Sequence, residues 1–162
     1  MEFLDIVDEN DDVVGKAEYG EVYERKLPHR ICHVLIFNDK GEMALQLRSK
    51  HKSFCPNHWV TAVGGHVQTG ENYEEAALRE MEEEVGVKIP VEFVRKDRYE
   101  VEGSPKKFLG TFSAKFNGPF EVNPEEVDKV EFFSMDTIKK MVADGEKFHP
   151  ELLFLLKREF GF

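Results

Sequence analysis

Between Glu71 and Glu84 the chain sets seven glutamates, Glu71, Glu74, Glu75, Glu80, Glu82, Glu83 and Glu84, in one short stretch framed by glycines. Like charges at this density repel, so a fold must either solvate them fully or hold cations among them. The local signals predict a helix over 73–85. Asn72 suits the N-cap, Glu75 stands at the capping-box position, and Gly86 falls where a left-handed residue ends a helix. On such a helix Glu80, Glu83 and Glu84 share one face, which Ala76 and Ala77 extend with small side chains that leave room for a ligand. Leu78, Met81 and Val85 are expected to anchor the helix to the core. Taken alone, an acidic run is most often a solvated helix face. The preceding Gly64-Gly65, whose backbone can approach a ligand closely, favours instead an oxygen-rich site for hard divalent cations.

The spacing is more informative than the charge. Gly65 is followed by five residues and Glu71, then by seven residues and Arg79-Glu80-Met81-Glu82-Glu83-Glu84-Val85-Gly86-Val87. This pattern resembles the signature of the Nudix hydrolase superfamily, and each specified position of that box, 65–87, matches. A chance match in a Glu-rich chain is on the order of one in a million, so the resemblance sets firm expectations. It implies a Nudix fold of the α/β (α+β) class, a mixed β-sheet sandwiched between helices, and a Mg²⁺- or Mn²⁺-dependent hydrolase. Such an enzyme cleaves a pyrophosphate bond in a nucleoside diphosphate-X or related diphosphate by water attack on phosphorus. The resemblance also implies roles: Glu80, Glu83 and Glu84 as metal ligands, the carbonyl of Gly64 in the metal shell, and Arg79 with Glu71 orienting the helix carboxylates. Glu80, or a glutamate from a later loop, is the general base. Glu125 and Glu126 fall where such a loop acid is found, and Glu126 is the preferred one.

Outside the box, the order of motifs loosely resembles the isopentenyl diphosphate isomerase branch of the same superfamily. Pro28-His29 precedes the first core strand, Arg48 and Lys52 precede Pro56 and Trp59, and His66 follows the double glycine. In that branch histidines matching His29 and His66 bind metal, and basic residues matching Arg48 and Lys52 hold the diphosphate. The isomerase's catalytic cysteine would fall at Gly64, and its strand glutamates within Lys107–Ala114, which contains no acid. Isomerisation is therefore disfavoured, and a non-catalytic Nudix-fold ligand sensor is the other alternative. Arg48, Lys52 and His66 are the expected substrate-binding residues, with His66 serving as a metal ligand, a phosphate donor or a pin for its loop. His29, His33, His51 and His58 are too scattered in sequence to read as a metal site.

The rest of the chain reads as short strands and helices. A hairpin is expected over 3–18, a short helix over 20–26, and strands at 33–37, 43–47, 59–63, 91–101, 107–115 and 127–133. Helices are expected at 135–143 and 149–160. The expected organisation is one Nudix domain over 1–162, with 1–28 as an N-terminal β-hairpin extension. A net charge of −10, with 32 acidic residues against 22 Lys and Arg, makes a nucleic-acid backbone a poor partner. No apolar run is long enough to span a bilayer, and Met1–Asp5 lacks the flank of a signal peptide. Cys32 and Cys55 are too few for a disulfide framework, and Cys32 is expected to be buried in packing. The expected compartment is the cytoplasm and the expected partner a small diphosphate; a homodimer is compatible with the sequence but has no residue-level support.

Overall fold

The run from His29 to Phe37 forms the central strand because both of its faces are covered, and such strands read as nearly continuous apolar sequence. Alternate side chains go to opposite layers. Cys32, Val34 and Ile36 pack with Ala76, Ala77, Met81 and Val85 of the acidic helix. Leu35 packs with Ile138, Leu152 and Leu156, and Ile31 with Leu155, all from the two C-terminal helices. The result is a mixed sheet between helical layers, the α+β architecture expected from the sequence.

The computed structural model describes residues 2–162. In chain order, a hairpin of β1 (Phe3–Val7) and β2 (Val13–Glu18) leads into α1 (Tyr19–Glu24). Then come β3 (His29–Phe37), β4 (Met43–Arg48), β5 (Trp59–Thr61), β6 (Val63–His66) and α2 (Tyr73–Val85). The chain continues with β7 (Glu92–Tyr99), β8 (Lys107–Lys115), β9 (Val127–Phe133), α3 (Met135–Ala143) and α4 (Pro150–Phe160). In the main sheet the strands run β5-β4-β3-β8-β7, with β6 added to β3 and β9 to β4. β3 runs parallel to β8 along its whole length, from His29↔Lys107 to Phe37↔Lys115. It pairs with β4 only at Phe37↔Met43 and with β6 over Ile31–Val34. β3 and β4 therefore diverge from their shared turn, and a cleft opens where they part.

Four local expectations change. β3 begins at His29 rather than His33, because backbone pairing with β8 accepts the polar Pro28-His29-Arg30 lead-in that hydropathy alone reads as a loop. The strand expected over 59–63 is two strands interrupted at Ala62, the first paired to β4 and the second to β3. Leu78 is exposed and anchors nothing. Ala76 and Ala77 are fully buried against β3, so their small size allows close packing on the sheet rather than room for a ligand. None of the described helices is long and apolar enough to cross a membrane.

The N-terminal hairpin is fastened from beneath. Leu4, Ala17 and Val22 form its own small core. At its turn, Asp11 is buried and holds three partners: Arg30 Nε at 2.7 Å, the Tyr73 hydroxyl at 2.8 Å and Lys96 Nζ at 2.9 Å. One carboxylate thus ties the hairpin to β3, to the first turn of α2 and to β7. These bonds hold the Asp11 carboxyl below its usual range although burial alone would raise it.

Candidate active site

The acidic helix starts and stops where its sequence says it should. Glu75 N–H donates to Asn72 Oδ1 at 2.8 Å and Asn72 N–H donates to Glu75 Oε1 at 2.9 Å, a complete capping box. Gly86 closes the helix at φ 68°, where a Cβ would sit 2.9 Å from Glu121. Arg79 then fixes the helix to the preceding loop. Its Nε and one terminal nitrogen grip both oxygens of Glu71, at 2.6 and 2.9 Å, and the same terminal nitrogen reaches His66 O at 3.1 Å. The other terminal nitrogen donates to Glu80 Oε1 at 2.8 Å and to Glu83 Oε2 at 3.2 Å. Burial works to raise the Glu71 carboxyl, but Arg79 and the Gln68 N–H outweigh it and hold it below the usual range.

Glu80 lies directly over β6. A Cβ on Gly65 would come within 2.4 Å of the Glu80 carboxyl carbon, so only glycine admits this approach. Glu84 is buried beside it, next to Glu80 and the Gly64 backbone, and accepts from Gln46 Nε2 at 2.8 Å. Burial pushes the Glu84 carboxyl well up, and its bond to Glu80 and the charge there push the same way. Burial also raises Glu80, and its bonds to Glu84 and Arg79 offset this only in part. Glu83 is the solvent-facing member, with 58% of its side chain exposed.

This donor set fits a hard divalent cation. Two buried carboxylates lack enough positive charge nearby, a third reaches solvent beside them, and the Gly64-Gly65 backbone passes alongside. Among the described residues, no three His, Cys, Asp or Glu side chains converge as a finished cage.

The site opens into a cleft of about 1170 Å³. It brings together all the residues expected from the sequence except Glu71, which reaches it through Arg79. Glu126 lines the cleft and Glu125 does not. Glu126 is ion-paired to Lys52, so that lysine already has a carboxylate partner. Arg48 donates to the carbonyls of Phe54 and Cys55, bracing the 49–58 loop. His66 is held by the N-terminal segment: its Nε2 accepts from the Tyr23 hydroxyl at 2.8 Å, and Nδ1 faces Glu2 at 3.5 Å. Burial and the neighbouring His29 and Lys107 lower its pKa to about 3, so the ring is neutral.

Several residues of the cleft escaped sequence reasoning. Gln46 sits on β4 as an unremarkable strand polar residue, yet it caps Glu84. Tyr23 comes from α1, and Lys107, His149 and Glu151 from β8 and the start of α4. Glu151 is buried, accepts from Lys107 Nζ at 2.9 Å and pairs with His33 Nε2 at 2.8 Å. The other ring nitrogen of His33 lies 2.8 Å from Thr61 Oγ1, which itself donates to Val63 O at 2.8 Å. Glu151 N–H donates to His149 Nδ1 at 3.1 Å, which makes His149 the cap of α4. The sequence's scattered histidines are therefore not all scattered in space. His29 and His66 are neighbours, with ring centroids 5.7 Å apart and planes inclined at 35°, and His33 lies against Gly64. His51 and His58 do not line the cleft.

Three comparisons bear on this geometry. The family model described as NUDIX domain matches residues 27–155. An uncharacterized Nudix hydrolase of Yersinia pestis is 33% identical over 154 residues, covering 94% of this chain and 82% of its own. A second uncharacterized Nudix hydrolase, from Streptomyces coelicolor, is 38% identical over 128 residues, covering 78% of this chain and 71% of its own. Among solved structures, DR0079 from Deinococcus radiodurans superposes with a TM-score of 0.84 at 28% identity, covering 97% of this chain and 98% of that one.

Proposed function

We propose that this chain, which belongs to the Nudix family and is a hydrolase of that family, cleaves a pyrophosphate bond in a nucleoside diphosphate derivative with the help of Mg²⁺ or Mn²⁺. The observation that carries this reading is the Glu80–Glu84 pair, buried without sufficient counter-charge beside Gly64-Gly65 and held there by Arg79. A buried carboxylate pair of this kind is costly unless cations complete it.

In this reading Glu80, Glu83, Glu84 and the Gly64 carbonyl hold the ions. Bound divalent cations would neutralise the diphosphate and lower the pKa of the attacking water. Arg79 and Glu71 are positioning residues, fixing Glu80 over the β6 backbone. Glu126, half-exposed on the cleft wall and aligned by Lys52, is the general base assigned here, with Glu80 the alternative. Arg48 and Lys52 stand on the same wall, where a phosphate can compete for their remaining donors. His66 acts as the pin that joins the N-terminal segment to the end of β6. The domain reading of 1–162, with 1–28 as extension and 65–87 as the catalytic box, belongs to the same proposal. The isomerase alternative is weakened by Gly64 in place of a cysteine and by the absence of acid in β8.

The test is turnover of a panel of nucleoside diphosphate derivatives with Mg²⁺ or Mn²⁺, read as phosphate after phosphatase treatment, for wild type and Glu83→Gln. Metal-dependent turnover that the variant abolishes is the expected result. A wild-type protein that binds panel members tightly and turns none over would replace hydrolysis with the sensor reading.

A further inference from the structure

The cleft continues well beyond the acidic helix, and its far part has a different chemistry. Its rim carries Tyr19 (41% exposed), Phe54 (57%) and Val101 (47%), partly exposed apolar groups from three separate segments. Its floor carries Lys107, which is almost fully buried, with one ammonium proton committed to Glu151 at 2.9 Å. The ammonium also lies 5.5 Å from the centroid of the Tyr23 ring. Glu151 is in turn held by His33, which packs on Gly64. Lys107 is thus fixed on two sides and connected through His33 to the catalytic loop.

The charge of this region restricts what it can hold. Outside the acidic helix and its Arg79, the cleft is lined by Glu2, Glu18, Glu102, Glu126 and Glu151 against Arg48, Lys52 and Lys107. That is five acids against three bases, and two of the three bases are already paired with acids of the same set. A further phosphate would enter a region with no cationic surplus. An alkyl chain would offer no acceptor to the ammonium protons of Lys107 that Glu151 does not take, at the cost of their desolvation. A planar, uncharged ring with a carbonyl on its edge satisfies both parts: its faces meet the apolar rim and its carbonyl accepts from Lys107.

We infer that Lys107, anchored by Glu151, is a specificity-determining residue that reads a carbonyl of an uncharged nucleobase and so favours base-bearing diphosphates over polyphosphates and alkyl diphosphates. This rests on the cleft's being the diphosphate site proposed above, and the test is therefore made on binding, without turnover. Calorimetry in Mg²⁺ would compare methylene-bridged uridine and guanosine diphosphates with the base-free ribose 5-diphosphate, diadenosine tetraphosphate and isopentenyl diphosphate. In wild type the better nucleoside diphosphate should bind tightest. Lys107→Met should weaken it by roughly 10–100-fold, the loss of a hydrogen bond to a charged group, and weaken the base-free compound far less, so that the ratio between them collapses. Lys107→Gln, which keeps a donor, should fall between the two; it also serves if Lys107→Met fails to fold. An equal loss for base-bearing and base-free ligands, or tighter wild-type binding of the tetraphosphate or the alkyl diphosphate, would overturn the inference. Absence of turnover with base discrimination intact would instead overturn hydrolysis and leave this assignment standing.

Discussion

Glu84 and Glu151 are both buried carboxylates lining one cleft, and their surroundings drive them in opposite directions. Glu84 has an amide, a backbone N–H and another carboxylate for company, and burial pushes its carboxyl well up. Glu151 is just as deep, but His33, Lys107 and His149 surround it and hold its carboxyl well below the usual range. Burial is common to both, so the neighbouring charge decides. The Glu151 end carries its own cation, Lys107, and a hydrogen-bond partner in His33. At the Glu80–Glu84 end the Arg79 guanidinium reaches Glu80 but not Glu84, so burial and the neighbouring carboxylate prevail there.

Removing the charge at each end should therefore have opposite effects on the metal-free protein. Glu151→Gln leaves the Lys107 ammonium buried without a counter-charge and should cost about 3 kcal/mol. For a chain of this size that lowers the thermal midpoint by roughly 6–12 °C, read by calorimetry in EDTA. A loss below about 1 kcal/mol, the ordinary value of a solvent-exposed pair, would erase the distinction between the two ends.

Glu84→Gln should do the reverse, because an amide keeps the bond to Gln46 and relieves the repulsion from Glu80. The expected gain in EDTA is roughly 1 kcal/mol, or about 2–4 °C. The same variant should lose the midpoint increase that wild type shows when Mn²⁺ is added. A Glu84→Gln protein that is less stable without metal would mean that Glu84 is already compensated by protein groups.

The third comparison is made through pH. Burial lowers His149 to about 4 against the usual 6.5, so the unfolded chain binds a proton before the folded one does. Stability therefore falls as pH drops from 6.5 towards 4, and His29, lowered to about 4 mainly by burial, adds to the slope. Glu151, held low, contributes stability that is complete above the usual carboxylate range and is lost only at lower pH. His149→Asn, which can still cap α4 but cannot titrate, should flatten the unfolding free energy from urea titrations against pH by up to about 1.4 kcal/mol per pH unit between 6.5 and 4. An unchanged slope would show that His149 is not held neutral by the fold.

The acidic helix was legible down to its caps because its signals are local. Asn72, Glu75 and Gly86 act within one turn of the residues they cap, and the i, i+3 and i+4 spacing of Glu80, Glu83 and Glu84 is geometry that any helix imposes. The same reasoning assigned Leu78 to the core and Ala76 and Ala77 to the ligand side, and both assignments failed. Periodicity defines a helix's faces but not how they are rotated onto the sheet. β3 accepts only small side chains from α2 at Ala76 and Ala77, and that places the apolar seam there and leaves Leu78 outside.

The sequence by itself determined the family and the helix that carries the box, because each depends on spacings of a few residues. Only the tertiary structure decided what faces that helix. His33 and Glu151 are 118 residues apart and meet because alternate residues of β3 point to the α4 layer. Lys107 joins them through the parallel register that sets it beside His29, and Gly64 lies against His33 because β6 pairs there with β3. No pattern along the chain encodes those pairings. They follow from which strands exchange backbone hydrogen bonds and in what register, and a one-residue shift would turn the same side chains to the opposite layer.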